Sequence, residues 1–421
     1  MKAPSILSLA FVCFIIRASG AVIIPGSHNG TDGALHITAD TVIDLSQAVT
    51  GTYDQDNTAN SGKGVYDPTQ WAVVFKYSSV AVDAGATVTF KNHPSRAPVF
   101  WLVTGNVNIA GTINLDGQDL QTSPQLSEPG PGGFRGGTAS YLGSLLGGAG
   151  FGPGGGTQLN GPATNNYSGN GGSFGTVADP VVGSYGNPSL VPLIGGSGGA
   201  ARSVFGGNQK GAGAGGGAIL IASAGSVTVG GSIHANGGAG TNEYYNSGGG
   251  SGGGIRIICD TLTGGGVLSA AGGGGGYLGG TGRIRLERVT NSSTLQIAPD
   301  PSVVPLNTGD TALVIPPTGS PTVRVVSVGG AVAPADPRAG FGSAGADITL
   351  PETSSTQVVI ETTNVEQASQ VSVRITPRSN ANAQIIPATY ASTVSAGVLR
   401  WTATLPVNDG YSAIQVKVVR P

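Results

Sequence analysis

Charged side chains are scarce in this sequence, as are the residues from which most reactive sites are built. Asp, Glu, Lys and Arg make up 10% of 421 residues, beside four histidines, two cysteines and one methionine. With 20 basic residues against 22 acidic ones, there is no basic stripe for nucleic acid and no polybasic membrane anchor. Cys13 and Cys259 cannot make a disulfide framework. His28, His36, His93 and His234 share no metal-ligand spacing. Helical patterning is also missing: no useful window carries apolar residues at i, i+3, i+4 and i+7 free of Gly or Pro. No apolar run reaches the roughly 20 residues of a membrane-spanning helix.

The longest apolar run lies at the start, in "MKAPSILSLAFVCFIIRASGAVII". Lys2, the apolar stretch from Ile6 to Ile16 and the small residues Ala18-Ser19-Gly20 fit a secretory signal, residues 1–20, cleaved before Ala21. A buried core segment would explain the same letters. Lipidation at Cys13 is disfavoured by Val12, where a small residue is expected. Loss of Lys2 and Arg17 leaves 18 basic against 22 acidic residues, net −4, with Cys259 as the only cysteine. The expected mature chain is secreted or held at the cell surface, with no membrane-spanning segment.

Glycine fills the space left by charge, at 74 of 421 residues, well above the usual share of roughly 7%. Yet 39% of residues are hydrophobic, unlike a disordered chain. Alternation of period two recurs in "SSVAVDAGATVTFKN" (78–92) and "NVNIAGTINLDGQ" (106–118), which predicts an all-β protein. The segment "VNIAGTINLDG" (107–117) overlays "VTVGGSIHANG" (227–237) in one frame, Val-x-apolar-x-Gly-x-Ile-x-apolar-x-Gly, and "LTGGGVLSAAG" (262–272) follows it. Each is preceded by another short strand: "VFWLV" (99–103), "AILIA" (218–222) and "IRIIC" (255–259). A fourth copy starts at "RIRLERV" (283–289), and Val80, Val82, Val88 and Phe90 mark an earlier one. Units that cannot bury a face alone stack into a continuous core, and the reading is a parallel β-helix or solenoid. Its glycines would serve as corners with positive φ. An antiparallel sandwich with glycine-rich hairpins is the alternative.

The expected organisation is a glycine-rich β-helix-like domain over 21–315, with a glycine-rich insertion at 121–217, then a β-sandwich domain over 316–421. In the insertion, Phe134, Tyr141, Leu142, Leu145, Leu146, Phe151, Phe174 and Phe205 recur among the glycines. That favours a packed lobe with close backbone approach, although such composition also suits a flexible loop. The junction is "PPTGSPTV" (316–323). About six short strands follow, with Trp401 as a core residue, which suggests an immunoglobulin-like or fibronectin-like sandwich.

The blocks "VFKYSSVAVDAGATVTFKNHPSRAPVFWLVTGNVNIAGTINLDGQ", "PGPGGFRGG", "GGGSGGGIRI" and "GGTGRIRLE" together resemble a class of secreted bacterial proteins with glycine-rich repeats. The stretch "VRVVSVGGAVAPADP" is similar to their trailing sandwich module. The resemblance covers most of the chain after the signal. It implies export and a surface or matrix location, and carries no catalytic residues.

Chemistry on sugars needs paired carboxylates, or a carboxylate cluster with a basic residue. The candidates are Asp116 and Asp119 in "DGQD", with Asp260 and Arg256. In the repeat frame Asp116 aligns with Asn236 and Ala271, so no carboxylate ladder forms. Arg256, Arg283 and Arg285 would stack outward, where solvation is the plainer explanation and an acidic glycan the sharper one. Asp54, Asp56 and Asp67 are candidate oxygen ligands for Ca²⁺, though turn-forming Asp and Asn explain the same letters. Cys259 reads as a small buried residue. The outward Thr228, Ser232, His234 and Asn236 are expected to lack chemically matched neighbours. No catalytic residue and no cofactor are assigned. The expectation is an exported structural or surface-interaction protein touching surface polysaccharide or other extracellular proteins. A polysaccharide lyase or glycoside hydrolase on a β-helix scaffold is the alternative.

Overall fold

The computed structural model describes residues 22–26, 30–122, 126–139, 147–159, 168–202, 210–243, 245–339, 345–351, 354–378, 382–407 and 410–421. Residues 1–20, His28, Tyr141, Leu142, Leu145, Leu146 and Phe205 lie outside these. Among the described residues the chain is all-β, with two short 3-10 turns at Leu45–Gln47 and Thr58–Asn60. Among the described residues no helix is long and apolar enough to cross a membrane.

Up to residue 305 the strands pair almost entirely in parallel. Val107 pairs with Val227, and Val227 with Leu262, the register given by the repeat frame. A six-stranded, wholly parallel sheet joins Thr41–Asp44, Thr87–Lys91, Thr112–Asn114, Ser232–His234, Val267–Ser269 and Gln296–Ala298. A larger sheet holds the preceding strands, including Ala72–Val82, Val99–Val103, Ala218–Ser223, Gly254–Gly264 and Arg283–Ser293. Between the sheets lies one apolar core, with Trp101, Ile113, Ile221, Val227, Ile233, Ala235, Ile257 and Cys259 fully buried.

The larger sheet is covered on its other face as well. Val74, Phe100, Leu102, Leu220 and Ile258 pack there against Phe174, Tyr185, Leu190 and Leu193 of the glycine-rich stretch. Strands buried on both faces need apolar residues at every position, which is why "VFWLV" and "AILIA" run without alternation.

The glycine segments are themselves ordered by hydrogen bonds of period three. Gly211, Ala214 and Gly217 donate to the carbonyls of Gln121, Gln118 and Leu115. Ala212, Gly215 and Ala218 donate to Gly137, Phe134 and Pro131, while Gly213 and Gly216 donate to Gly248 and Ser251. The segment 248–253 repeats this pattern toward 197–200, 277–280 and 235–238. Three residues per turn with every bond to a neighbouring segment is the geometry of a polyproline-II-type helix. Packing such helices satisfies a buried backbone without strands. It also leaves no room for side chains: a Cβ on Gly250 would stand 1.9 Å from the Ala214 carbonyl oxygen.

This corrects the role expected for the corner glycines. Gly111, Gly117, Gly231 and Gly237 are absent from the positive-φ residues. They are glycine because a Cβ on Gly231 would meet the Gly111 oxygen at 1.9 Å, and one on Gly237 the Gly250 oxygen at 1.9 Å.

Beyond the junction, strand pairing becomes antiparallel. One sheet contains Ala331–Val332, Thr322–Val328, Ser355–Thr363, Val398–Pro406 and Thr389–Ser395, and the other Gln384–Pro387, Gln370–Pro377 and Ser412–Val419. They share a core of Val358, Ile360, Val373, Trp401 and Leu405. Trp401 is buried, with its indole N–H donating to Thr362 Oγ1 at 3.0 Å.

Candidate functional site

A groove of about 880 Å³ opens where the chain leaves the strands to enter the glycine segments. Lys91, Arg96, Asn114, Asp116, Gln118 and Glu128 are among its lining. Asp116 and Asp119 both border it, whereas Asp260 and Arg256 do not, so the structure separates the residues weighed as candidates for sugar chemistry. Lys91, Arg96 and Glu128 were not singled out by sequence reasoning. Their only signal is charge beside proline, in "KNHPSR" and "SEPGPGG".

Two carboxylates here hold the main chain of the segment 236–239. Asp116 Oδ1 accepts the Asn236 N–H at 2.6 Å, and Asp119 Oδ1 the Ala239 N–H at 2.7 Å. Asn236 Oδ1 passes the pattern on, accepting from the Ala271 N–H at 2.8 Å and Ser269 Oγ at 2.6 Å. Burial raises the Asp116 pKa, opposed by its bond to the Asn236 N–H. Glu128 is shared by two guanidiniums, Arg135 and, at 3.7 Å, Arg96. Lys91 Nζ reaches Asp44 at 2.8 Å.

The arginines do not form a solvated stack. Arg256 is 2% exposed, and its Nε donates to Glu287 Oε1 at 2.8 Å. Arg285 Nε bonds the same oxygen at 2.9 Å. Arg283 lies over the Phe174 ring and donates to the Tyr185 carbonyl. The covering glycine segments that sequence reasoning could not place on this face account for the difference.

The expectation of unmatched outward residues is overturned for Thr228 and Ser232. Thr228 Oγ1 bonds Thr263 Oγ1 at 2.7 Å, and Ser232 Oγ bonds Thr112 Oγ1 at 3.0 Å. Parallel in-register pairing places like positions one strand apart, so hydroxyls meet hydroxyls.

Asp54, Asp56 and Asp67 serve turns. Asp67 accepts from the N–H groups of Tyr53, Thr69 and Gln70, and Asp56 from Thr58. Among the described residues no three or more His, Cys, Asp or Glu side chains gather as metal ligands would. The cation beneath the acidic loop is the buried Lys76. Burial lowers its pKa, while Asp54, Asp32 and Asp56 raise it. Cys259 is fully buried, and burial pushes its thiol up to about 12. His36 pairs with Asp83 at the surface, and His234 sits on an outward strand position.

Comparison with known proteins finds no matching family model, no matching curated protein and no matching solved structure.

Proposed function

We propose that the chain is an exported, non-catalytic surface-contact protein. In this reading the parallel strands form a β-helix, stiffened by the glycine helices, and the last hundred residues form an immunoglobulin-like sandwich. The signal-like N-terminus supports export. The observation that carries the non-catalytic reading is the employment of the groove carboxylates. Asp116 and Asp119 secure the backbone of the segment 236–239, and Glu128 is held between guanidiniums. Glycosidic chemistry asks one carboxyl to release a proton and a second to attack or to activate water. Groups fixed as backbone acceptors are poorly placed for either role.

The test is incubation of the purified protein with insoluble and soluble polysaccharides, neutral and uronate. The expected result is retention on a polysaccharide without new reducing ends or unsaturated products. Appearance of either product overturns this reading in favour of a hydrolase or a lyase.

A further inference from the structure

The groove itself restricts what can bind there. Its volume of about 880 Å³ falls within the roughly 300–1,000 Å³ of small-ligand sites. Besides Arg96, Asp116 and Glu128, its lining includes Lys91, Asn114, Gln118 and Asp119. Both basic lining side chains, Lys91 and Arg96, already face carboxylates, Asp44 and Glu128. An acidic sugar would therefore meet Asp116 and Asp119 without an uncommitted cation to offset them. Uncharged hydroxyls, which both donate and accept, suit alternating amides, ammonium and carboxylate without that repulsion.

We infer that this groove binds a short segment of a neutral polysaccharide, an inference that rests on the surface-contact reading above. Binding involves no covalent step. Gln118 and Lys91 are exposed, so both can be changed with little disturbance to the core. Gln118→Trp fills the groove with an indole, and Lys91→Ala removes one donor.

The experiment is calorimetric titration of neutral and uronate oligosaccharides into the full chain and both variants, with melting curves as the folding control. Neutral oligosaccharides are expected to bind, with Gln118→Trp weakening binding by about tenfold or more and Lys91→Ala by less. If the intact protein binds and both folded variants bind equally well, the groove is not the site, although surface contact stands. Preference for the uronate ligands overturns the ligand class. If the intact protein holds no polysaccharide of either kind, the inference falls together with glycan contact. Should Gln118→Trp fail to fold, Lys91→Ala carries the comparison, and binding undiminished in that variant overturns the proposal.

Discussion

His93 borders the groove, yet its ring is shut away from water. It stacks on Tyr66 with centroids 4.1 Å apart, and its Nδ1 lies 2.8 Å from Ser95 Oγ. Burial, with the Arg338 charge behind it, brings the imidazole pKa down to about 4 against an ordinary 6.5. The folded chain thus refuses a proton that the unfolded chain accepts. The stability that the neutral ring provides is complete above pH 6.5 and is lost as pH falls from there through about 4. Melting temperatures at pH 7.5 and pH 5 should differ more in the native chain than in His93→Asn. An equal drop in both would show that His93 does not carry the acid sensitivity. Asp116 shows why residue-level chemistry was harder to read than the fold. Its partner, the Asn236 N–H, lies 120 residues away. "DGQD" looks the same whether it awaits a substrate or secures a neighbouring rung.

Strands and glycine segments differ in what they leave in the sequence. Side chains alternate along a strand, so Val227, Ile233 and Ala235 gave both the inward face and the register. The continuous runs "VFWLV" and "AILIA" also carried information, since they imply cover on a second face. A glycine helix with period three has no side chains to record which neighbour each residue bonds. That 211–217 lies among 115–121, 131–137 and 248–251 could not be read. Two substitutions separate tight packing from mere flexibility. Gly250→Ala would put a Cβ 1.9 Å from the Ala214 oxygen, a forced backbone shift costing about 1–3 kcal/mol or more. Gly274 has nothing within 4 Å of that position and is exposed. Gly274→Ala should therefore be neutral or stabilising by up to ~1 kcal/mol through the unfolded state. Denaturant titrations of the two variants give the comparison, and equal stabilities would refute the packed bundle.

At the scale of the whole molecule, a proline-rich junction such as 316–323 reads as a spacer between independent parts. The contacts across it argue instead for a keyed joint. Arg374, 5% exposed, donates through Nη2 to the Gly150 and Gly155 carbonyls at 3.0 and 2.8 Å, and through Nε to Thr376 Oγ1 at 3.1 Å. Burial lowers its pKa to about 10, opposed by Asp179, so it remains a cation at neutral pH. Around it Asn382 bonds Gln158 in both directions, and Thr138 donates to the Arg378 carbonyl. The glycine segments can take an arginine from outside because carbonyls line their surface and no Cβ blocks the approach. Arg374→Ala would strip the donor from two carbonyls, at about 1–3 kcal/mol for each one left buried. Arg374→Lys should restore little, because a point-like ammonium cannot reproduce the planar fork. Scanning calorimetry of the native chain is expected to show the two parts melting together, and Arg374→Ala to separate them, with the antiparallel sheets melting first. If the Ala variant melts with the native profile, the two parts are tethered and not keyed.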